Sequence, residues 1–114
     1  MPMITLTTTA QIPPAAEAAL TAGLGRAIEL LPGKSEAHLM LSFQGGVPMA
    51  FQGTKQEAAA FLEVSCFGHV DPAAYNTMTG AVCALLEKAL AIPPAKTYVK
   101  YTETTNWGWN GVNF

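Results

Sequence analysis

Apolar and polar residues alternate in four short stretches of the chain. Because successive side chains of a strand point to opposite faces, this alternation predicts four β-strands. The β-branched residues support the first strand, in which three threonines interleave with Ile4 and Leu6. Glycines at positions 45, 46 and 53 predict turns around a short apolar stretch, 47–51. The predicted strands cover about residues 3–9, 38–43, 59–67 and 97–102.

Two longer segments carry apolar residues at helical spacing and predict two helices. The first begins at Pro13-Pro14 and ends before Pro32-Gly33, because proline fits a first helical turn and glycine fits a helix end. The second begins at Asp71-Pro72, where the aspartate is an N-cap. The apolar stripes are Leu20, Leu24, Ala27, Ile28 and Leu31 in the first helix and Tyr75, Met78, Val82, Leu85, Leu86 and Ala89 in the second.

The two halves of the chain repeat one plan of strand, helix and strand. Short sequence segments repeat as well: Pro14-Ala15-Ala16 recurs as Pro72-Ala73-Ala74, and Lys34 after the first helix matches Lys96 after the second. Two β-α-β units predict an α/β fold in which both helices pack on one face of a four-stranded sheet. Residues 1–114 then form a single domain, and an oligomer would cover the open sheet face.

The composition supports an oligomer and argues against nucleic acid as a partner. Apolar residues make up 50% of the chain and charged residues only 12%, so a lone subunit would expose much apolar surface. The net charge is −2, and the six basic residues form no patch that would bind phosphates. No run reaches the about 18 apolar residues of a membrane helix, and no signal peptide precedes the first strand, which predicts a cytoplasmic protein.

Several familiar chemistries do not fit the sequence. The segment LLPGKS resembles the end of a phosphate-binding loop, but Lys34 follows a helix and Ile28 stands where the first glycine belongs. His38 and His69 have no acidic residue at ligand spacing, so no metal site and no cofactor are predicted. The two cysteines, Cys66 and Cys83, are interpreted as small core residues.

The remaining unusual group is the proline in the opening MPMI. Removal of Met1 would leave Pro2 with a free secondary amine, whose reference pKa is about 7.7–8.0. Burial and a nearby cation would both lower that pKa and produce a base suited to removing a proton α to a carbonyl. Candidate companions are the cations Lys34 and Lys100 and the aromatic residues Tyr98, Trp107, Trp109 and Phe114.

Six segments together point to a known family: MPMI at the start, PGKS at 32–35, PMAFQG at 48–53, SCFG at 65–68, TYVKY at 97–101 and NWGWNGVNF at 106–114. With these segments the whole chain resembles the macrophage migration inhibitory factor group of the tautomerase superfamily, and most of all its bacterial members. The resemblance implies a homotrimer with active sites between subunits. It also implies keto–enol tautomerase activity on phenylpyruvate-like or dopachrome-like substrates, with Pro2 as the catalytic base.

The resemblance assigns roles to the other candidates. Lys34 would bind the carboxylate of an aromatic 2-keto acid, assisted by the backbone around Phe67. Tyr98 would come from a neighbouring subunit and would enclose the aromatic ring together with Trp107, Trp109 and Phe114.

Three features depart from the family's animal members. Lys100 stands where they carry asparagine, and we expect this cation to lower the pKa of Pro2 further if its side chain points inward. Trp107 and Phe67 replace smaller residues and predict a narrower pocket. Ala59 and Leu62 occupy the positions of a C-x-x-C motif, so thiol-oxidoreductase activity is not expected.

Alternatives to a tautomerase stay open at this point. The same proline serves hydration and dehalogenation elsewhere in the superfamily, although Arg26, the sole arginine, disfavours diacid substrates. A different class is a cytokine-like protein that binds a host receptor, with export without a signal peptide and a weak or vestigial enzymatic activity. The rate of turnover on a plausible metabolite would separate these hypotheses.

Overall fold

The computed structural model describes residues 1–114 and contains two α-helices, eight β-strands and three short 3₁₀ turns. The helices are α1 (Pro14–Ala27) and α2 (Pro72–Leu90). The strands are β1 (Pro2–Thr8), β2 (Met40–Gln44), β3 (Ala50–Phe51), β4 (Thr54–Lys55), β5 (Ala60–Phe67), β6 (Thr97–Thr104), β7 (Gly108–Trp109) and β8 (Val112–Asn113). The 3₁₀ turns are Ile28–Leu30, Glu36–His38 and Pro94–Lys96.

Four strands form one mixed sheet in the order β2-β1-β5-β6. The outer pairs β1–β2 and β5–β6 are parallel, and each is joined through one helix as a β-α-β unit. The central pair β1–β5 is antiparallel. The predicted fold class, with two β-α-β repeats and a four-stranded mixed sheet, is confirmed. β1 and β5 therefore occupy the middle of the sheet, and the amino terminus begins there.

The core lies between the sheet and the two helices. Alternate residues of β1 and β5 are fully buried on this face, and both predicted helical stripes pack against them. Removing such side chains from water is the main stabilising contribution to a domain of this size. The largest fully buried side chains are Ile4, Leu6, Leu20, Leu24, Ile28, Leu31, Leu62, Met78, Leu86 and Ile92.

The opposite sheet face has no helix on it. Its residues on β1 and β5 are only half-buried or exposed, and large apolar side chains remain in solvent, with Tyr98 64% exposed and Met40 66% exposed. Large exposed apolar side chains of this kind are typical of an interaction surface. Neither helix combines the length and apolar character needed to cross a membrane.

Several predicted boundaries were inexact. The predicted strand 38–43 begins only at Met40, because a 3₁₀ turn takes up Glu36–His38. Leu31 is fully buried as predicted but lies beyond the end of α1. The N-cap prediction is confirmed, since the Asp71 carboxylate accepts a hydrogen bond from the Ala73 N–H at 2.9 Å.

The cysteine interpretation is confirmed for Cys66, which is fully buried in the core. Cys83 on α2 is only half-buried, so its placement in the core is partial. Both thiols are free, and burial raises the pKa of each.

Candidate active site at the amino terminus

Pro2 opens β1 and pairs with Cys66 at the end of β5, in the middle of the sheet. The missing N–H of a proline costs nothing at the first residue of a strand. Pro2 is buried, and the peptide before it is fixed because the Phe67 N–H donates to the Met1 carbonyl oxygen at 3.1 Å. The backbone around the amino terminus is therefore held by two adjacent strands.

Lys34 reaches the same place from the turn after α1. Gly33, with φ of 77°, supplies the left-handed conformation that this turn requires, and the Lys34 N–H closes it on the Leu31 carbonyl at 3.1 Å. The Lys34 ammonium donates a hydrogen bond to the Phe67 carbonyl oxygen at 2.7 Å. Phe67, at the end of β5, thus contacts the amino terminus through its N–H and Lys34 through its carbonyl oxygen.

The electrostatic environment favours an uncharged amine. Burial, and after it the positive charge of Lys34, lowers the pKa of the Met1 amino group from its ordinary value, while Cys66 acts in the opposite direction. Both causes disfavour the ammonium form. After removal of Met1 the chain would begin at Pro2, which is buried and pairs with Cys66.

An open depression of about 770 Å³ adjoins the amino terminus. Its wall includes Pro2, Trp107 and Trp109. The His38 ring packs edge-on against Trp109 with the ring centres 6.0 Å apart. The lining combines polar side chains near the strand ends, Ser65 and Thr104, with the large rings, which suits an aromatic molecule that carries a polar group.

The carboxy-terminal tail forms a hairpin whose first strand lines the depression. A hairpin of β7 and β8 turns at Asn110-Gly111, where both residues have positive φ, as a two-residue hairpin turn requires. Phe114 then packs edge-on against Phe67 at 5.2 Å, and its N–H donates to the Trp107 carbonyl. Phe114 therefore lies against the residue that joins Lys34 to the amino terminus.

Tyr98 does not belong to this group within one subunit. It pairs with Phe61 across β5 and β6, whereas Pro2 pairs with Cys66. Phe61 and Cys66 are five positions apart along β5, which corresponds to about 17 Å at the usual rise per residue of a strand. Tyr98 instead packs edge-on against Phe51 at 5.2 Å, beside a smaller apolar hollow.

Lys100 follows Tyr98 on the same open face of the sheet. Its ammonium lies 3.8 Å from the Glu63 carboxylate, and both side chains are largely exposed. Glu63 lies three residues before Cys66, the residue of β5 that pairs with Pro2. Within the subunit this cation is directed at a carboxylate and away from the amino terminus.

Two features of this region were missed by sequence reasoning. His38 was considered only as a metal ligand, yet it supports Trp109, and nothing in the sequence signals that contact. The hairpin of the tail was also missed, although the Asn-Gly dipeptide at 110–111 is a known hairpin signal. No group of three histidine, cysteine or acidic side chains comes together as metal ligands.

The class of protein follows from these features. A four-stranded mixed sheet built from two β-α-β units, with a proline at the head of a central strand and a lysine beside it, defines a protein of the tautomerase superfamily. The family model described as macrophage migration inhibitory factor (MIF) matches residues 1–114. The chain belongs to the macrophage migration inhibitory factor family.

Solved structures of this family superpose on the chain over almost its whole length. MIF2 of Leishmania major is 32% identical, with a TM-score of 0.91, and the match covers 100% of this chain and 97% of that one. The homologue from Prochlorococcus marinus is 28% identical, with a TM-score of 0.80 and 98% of each chain covered. The Toxoplasma gondii protein is 21% identical, with a TM-score of 0.87 and 98% and 99% covered. Comparison with curated protein sequences gives no significant match.

Proposed function

We propose that this protein is a cofactor-independent keto–enol tautomerase of aromatic 2-keto acids such as phenylpyruvate, with Pro2 as the base after removal of Met1. The observation that carries the proposal is the position of the amino terminus. Pro2 is buried at the start of a central strand, and burial, followed by the charge of Lys34 held on Phe67, lowers the pKa of the amino terminus. Membership of the family supports a tautomerase-type function in general.

The amine would act as an acid–base catalyst. Lowering the pKa of a terminal amine below its reference value of about 7.7–8.0 increases the uncharged fraction at neutral pH, and that form can accept a proton. Pro2 would take the proton from the carbon next to the keto group, the electrons would move to the carbonyl oxygen, and the ammonium would return the proton to that oxygen. The reverse sequence converts enol to keto. No electrons leave the substrate, so the reaction needs no redox cofactor.

Lys34 and the backbone of Phe67 would hold the substrate carboxylate. An ammonium has three donors, and Lys34 uses one on the Phe67 carbonyl, which leaves two for a ligand. Removal of Met1 also removes the acceptor of the Phe67 N–H, which becomes a free donor beside the amine. A lysine and a free backbone N–H at one point form a suitable carboxylate site.

The aromatic ring of the substrate would occupy the depression beside the amine. Trp107 and Trp109 line it, and Phe114 packs against Phe67, whose carbonyl holds Lys34. Edge-on and stacked contacts with such rings contribute about 0.5–1.5 kcal/mol each beyond the burial of apolar area.

The proposal includes a trimer in which the open sheet faces point inward. Tyr98 and Lys100 lie on that face, and the strand register puts Tyr98 about 17 Å from Pro2 of its own subunit, too far to contact a substrate bound there. A neighbouring subunit could supply both residues to the site. The exposed apolar side chains of this face support such an assembly.

The test measures enol-to-keto conversion of phenylpyruvate and 4-hydroxyphenylpyruvate by ultraviolet absorbance. It compares Met1-free protein, verified by mass, with Pro2→Gly and with a chain in which an extra alanine precedes Pro2. The insertion keeps the ring but turns its amine into an amide. We expect both variants to lose at least about 100-fold in kcat/KM, the lower range for a general base. An inactive, correctly processed wild-type trimer would contradict the proposal and would favour a receptor-binding protein.

A further inference from the structure

Glu103 lies near the end of β6, on the sheet face that packs against the helices, and its carboxylate accepts three hydrogen bonds. One oxygen accepts from the Tyr75 hydroxyl at 2.7 Å and from the Val70 N–H at 2.9 Å. The other oxygen lies 3.0 Å from Nδ1 of His69. The reaction proposed above gives this charged group no role, and a carboxylate in that position needs an explanation.

The partners of Glu103 show what it holds. Val70 and His69 belong to the loop 68–71, which joins β5 to α2, and Tyr75 lies in the first turns of that helix. The same loop is attached to β6 a second time, since the Gly68 N–H donates to the Thr104 carbonyl at 2.9 Å. Gly68 has φ of 86°, and glycine is conformationally permissive, so the loop depends on these attachments for its position.

The residue directly before this loop is the one that organises the candidate site. Phe67 contacts the amino terminus through its N–H and Lys34 through its carbonyl. Val70 lies only three residues further along the chain. Phe67 is the last residue of β5 and stays paired with Thr104, so release of the loop from Glu103 would loosen its backbone only at this strand end, together with the Lys34 ammonium bonded to it.

We infer that Glu103 is a positioning residue. Through the loop 68–71 it holds the Phe67 backbone, and with it the Lys34 ammonium, next to the terminal amine. The inference rests on the function proposed above and adds a residue that does not contact the substrate. The Tyr75 hydroxyl, then the Val70 N–H and His69, lower the pKa of Glu103 to about 2. The carboxylate is therefore charged wherever the amine would be active.

Three variants separate this role from a general structural one. Glu103→Gln keeps the shape but removes the charge and one acceptor oxygen. Tyr75→Phe removes one donor to Glu103 and leaves the carboxylate in place. The matched control is Tyr101→Phe, since the Tyr101 ring stacks on Tyr75 at 4.2 Å and its hydroxyl bonds only Thr79 and the Tyr75 carbonyl. All three change one polar group where the start of α2 meets the end of β6.

Two readouts are measured on folded, Met1-free protein. The first is the titration of the terminal nitrogen, followed by NMR of protein labelled with ¹⁵N-proline. We expect a higher amine pKa in Glu103→Gln and Tyr75→Phe, because the cation of Lys34 is less well fixed. Loss of the Glu103 charge acting alone would instead lower the amine pKa. An upward shift therefore indicates a misplaced Lys34, and a downward shift indicates only the lost charge.

The second readout is the separation of KM from kcat for phenylpyruvate. A poorly placed Lys34 weakens carboxylate binding, and we expect KM to rise roughly fivefold or more with a smaller change in kcat. Tyr101→Phe should match the wild type in both readouts. An unchanged amine pKa in both test variants, or the same change in Tyr101→Phe, would overturn the inference.

The titration also separates this inference from the proposed function. A wild type without turnover, but with the expected shift of the amine pKa in the two variants, would reject the proposed reaction and retain the positioning role. If Glu103→Gln does not fold, Tyr75→Phe decides the question alone.

Discussion

Replacement of Lys34 by alanine is the sharpest test of how the site works. The Lys34 ammonium donates to the Phe67 carbonyl at 2.7 Å, and its charge, after burial, lowers the pKa of the amino terminus. The change removes two contributions at once: a donor for the substrate carboxylate and a charge that keeps the amine neutral. The two contributions affect different kinetic quantities, so they can be measured separately.

The size of the binding loss follows from the bond that Lys34 would make. A hydrogen bond to a charged group contributes about 1.5–3 kcal/mol, which corresponds to about 10- to 150-fold in affinity. We expect kcat/KM for phenylpyruvate to fall in that range, with most of the loss in KM. The methyl ester of phenylpyruvate has no carboxylate, and its conversion should fall much less.

The effect on the amine has a definite sign. Lys34 lowers the pKa of the terminal amine, so its removal should raise that pKa and move the acid limb of the kcat/KM profile to higher pH. At acidic pH the variant should therefore lose additional activity. The assay is the ultraviolet measurement of enol-to-keto conversion across pH, supported by ¹⁵N-proline titration.

A matched control is Lys88→Ala, which removes an exposed lysine from α2. Thermal unfolding of both variants would verify that the fold is intact, because the Phe67 carbonyl loses its partner in Lys34→Ala. A Lys34→Ala protein with phenylpyruvate kcat/KM within about twofold of wild type would refute the assignment of Lys34 to the carboxylate, since that ratio corresponds to well under 1 kcal/mol.

Three further predictions follow from single features. If Tyr98 reaches the site of a neighbouring subunit, Pro2→Gly and Tyr98→Ala proteins, each inactive alone, should regain part of the activity when refolded together, and a mixture that stays inactive argues against a shared site. Ala91 ends α2 with φ of 57°, so Ala91→Gly should stabilise the protein by about 0.5–1 kcal/mol in chemical denaturation; a lower midpoint would count against strain there. Glu103 has a pKa of about 2, below its ordinary value of 4.5, so its contribution to stability is present above pH 4.5 and is lost as the pH falls towards 2. The difference in melting temperature between wild type and Glu103→Gln should therefore shrink across that window, and a constant difference would contradict this account.

The fold was largely predictable because its signals are local. Alternation over β1 and β5 and the stripes of both helices repeat at fixed periods, and each period depends only on the geometry of its own element. The N-cap at Asp71 is equally local, since its carboxylate bonds a residue two positions away. Boundaries were less accurate where a 3₁₀ turn, as at Glu36–His38, shortens an alternating stretch.

The candidate site was only partly predictable. The chain alone indicated Pro2, and the family resemblance assigned roles to Lys34, Phe67 and the aromatic tail, but no rule of spacing could join residues so far apart in sequence. The link between Lys34 and Phe67 spans 33 positions and exists because two β-α-β units place both residues at one end of the sheet. The support of Phe67 by Glu103 has no signal in the sequence.

The sequence by itself determined the repeat of two units, the helix-facing core and the chemical possibility of a terminal secondary amine, because these depend on residue type and on periods of a few residues. The tertiary structure decided which distant groups meet. It placed Lys34 on Phe67, separated Tyr98 and Lys100 from Pro2 of the same subunit, and fastened the loop after β5 to Glu103. Strand register sets those distances, and register is fixed only when the buried faces of the whole sheet pack together.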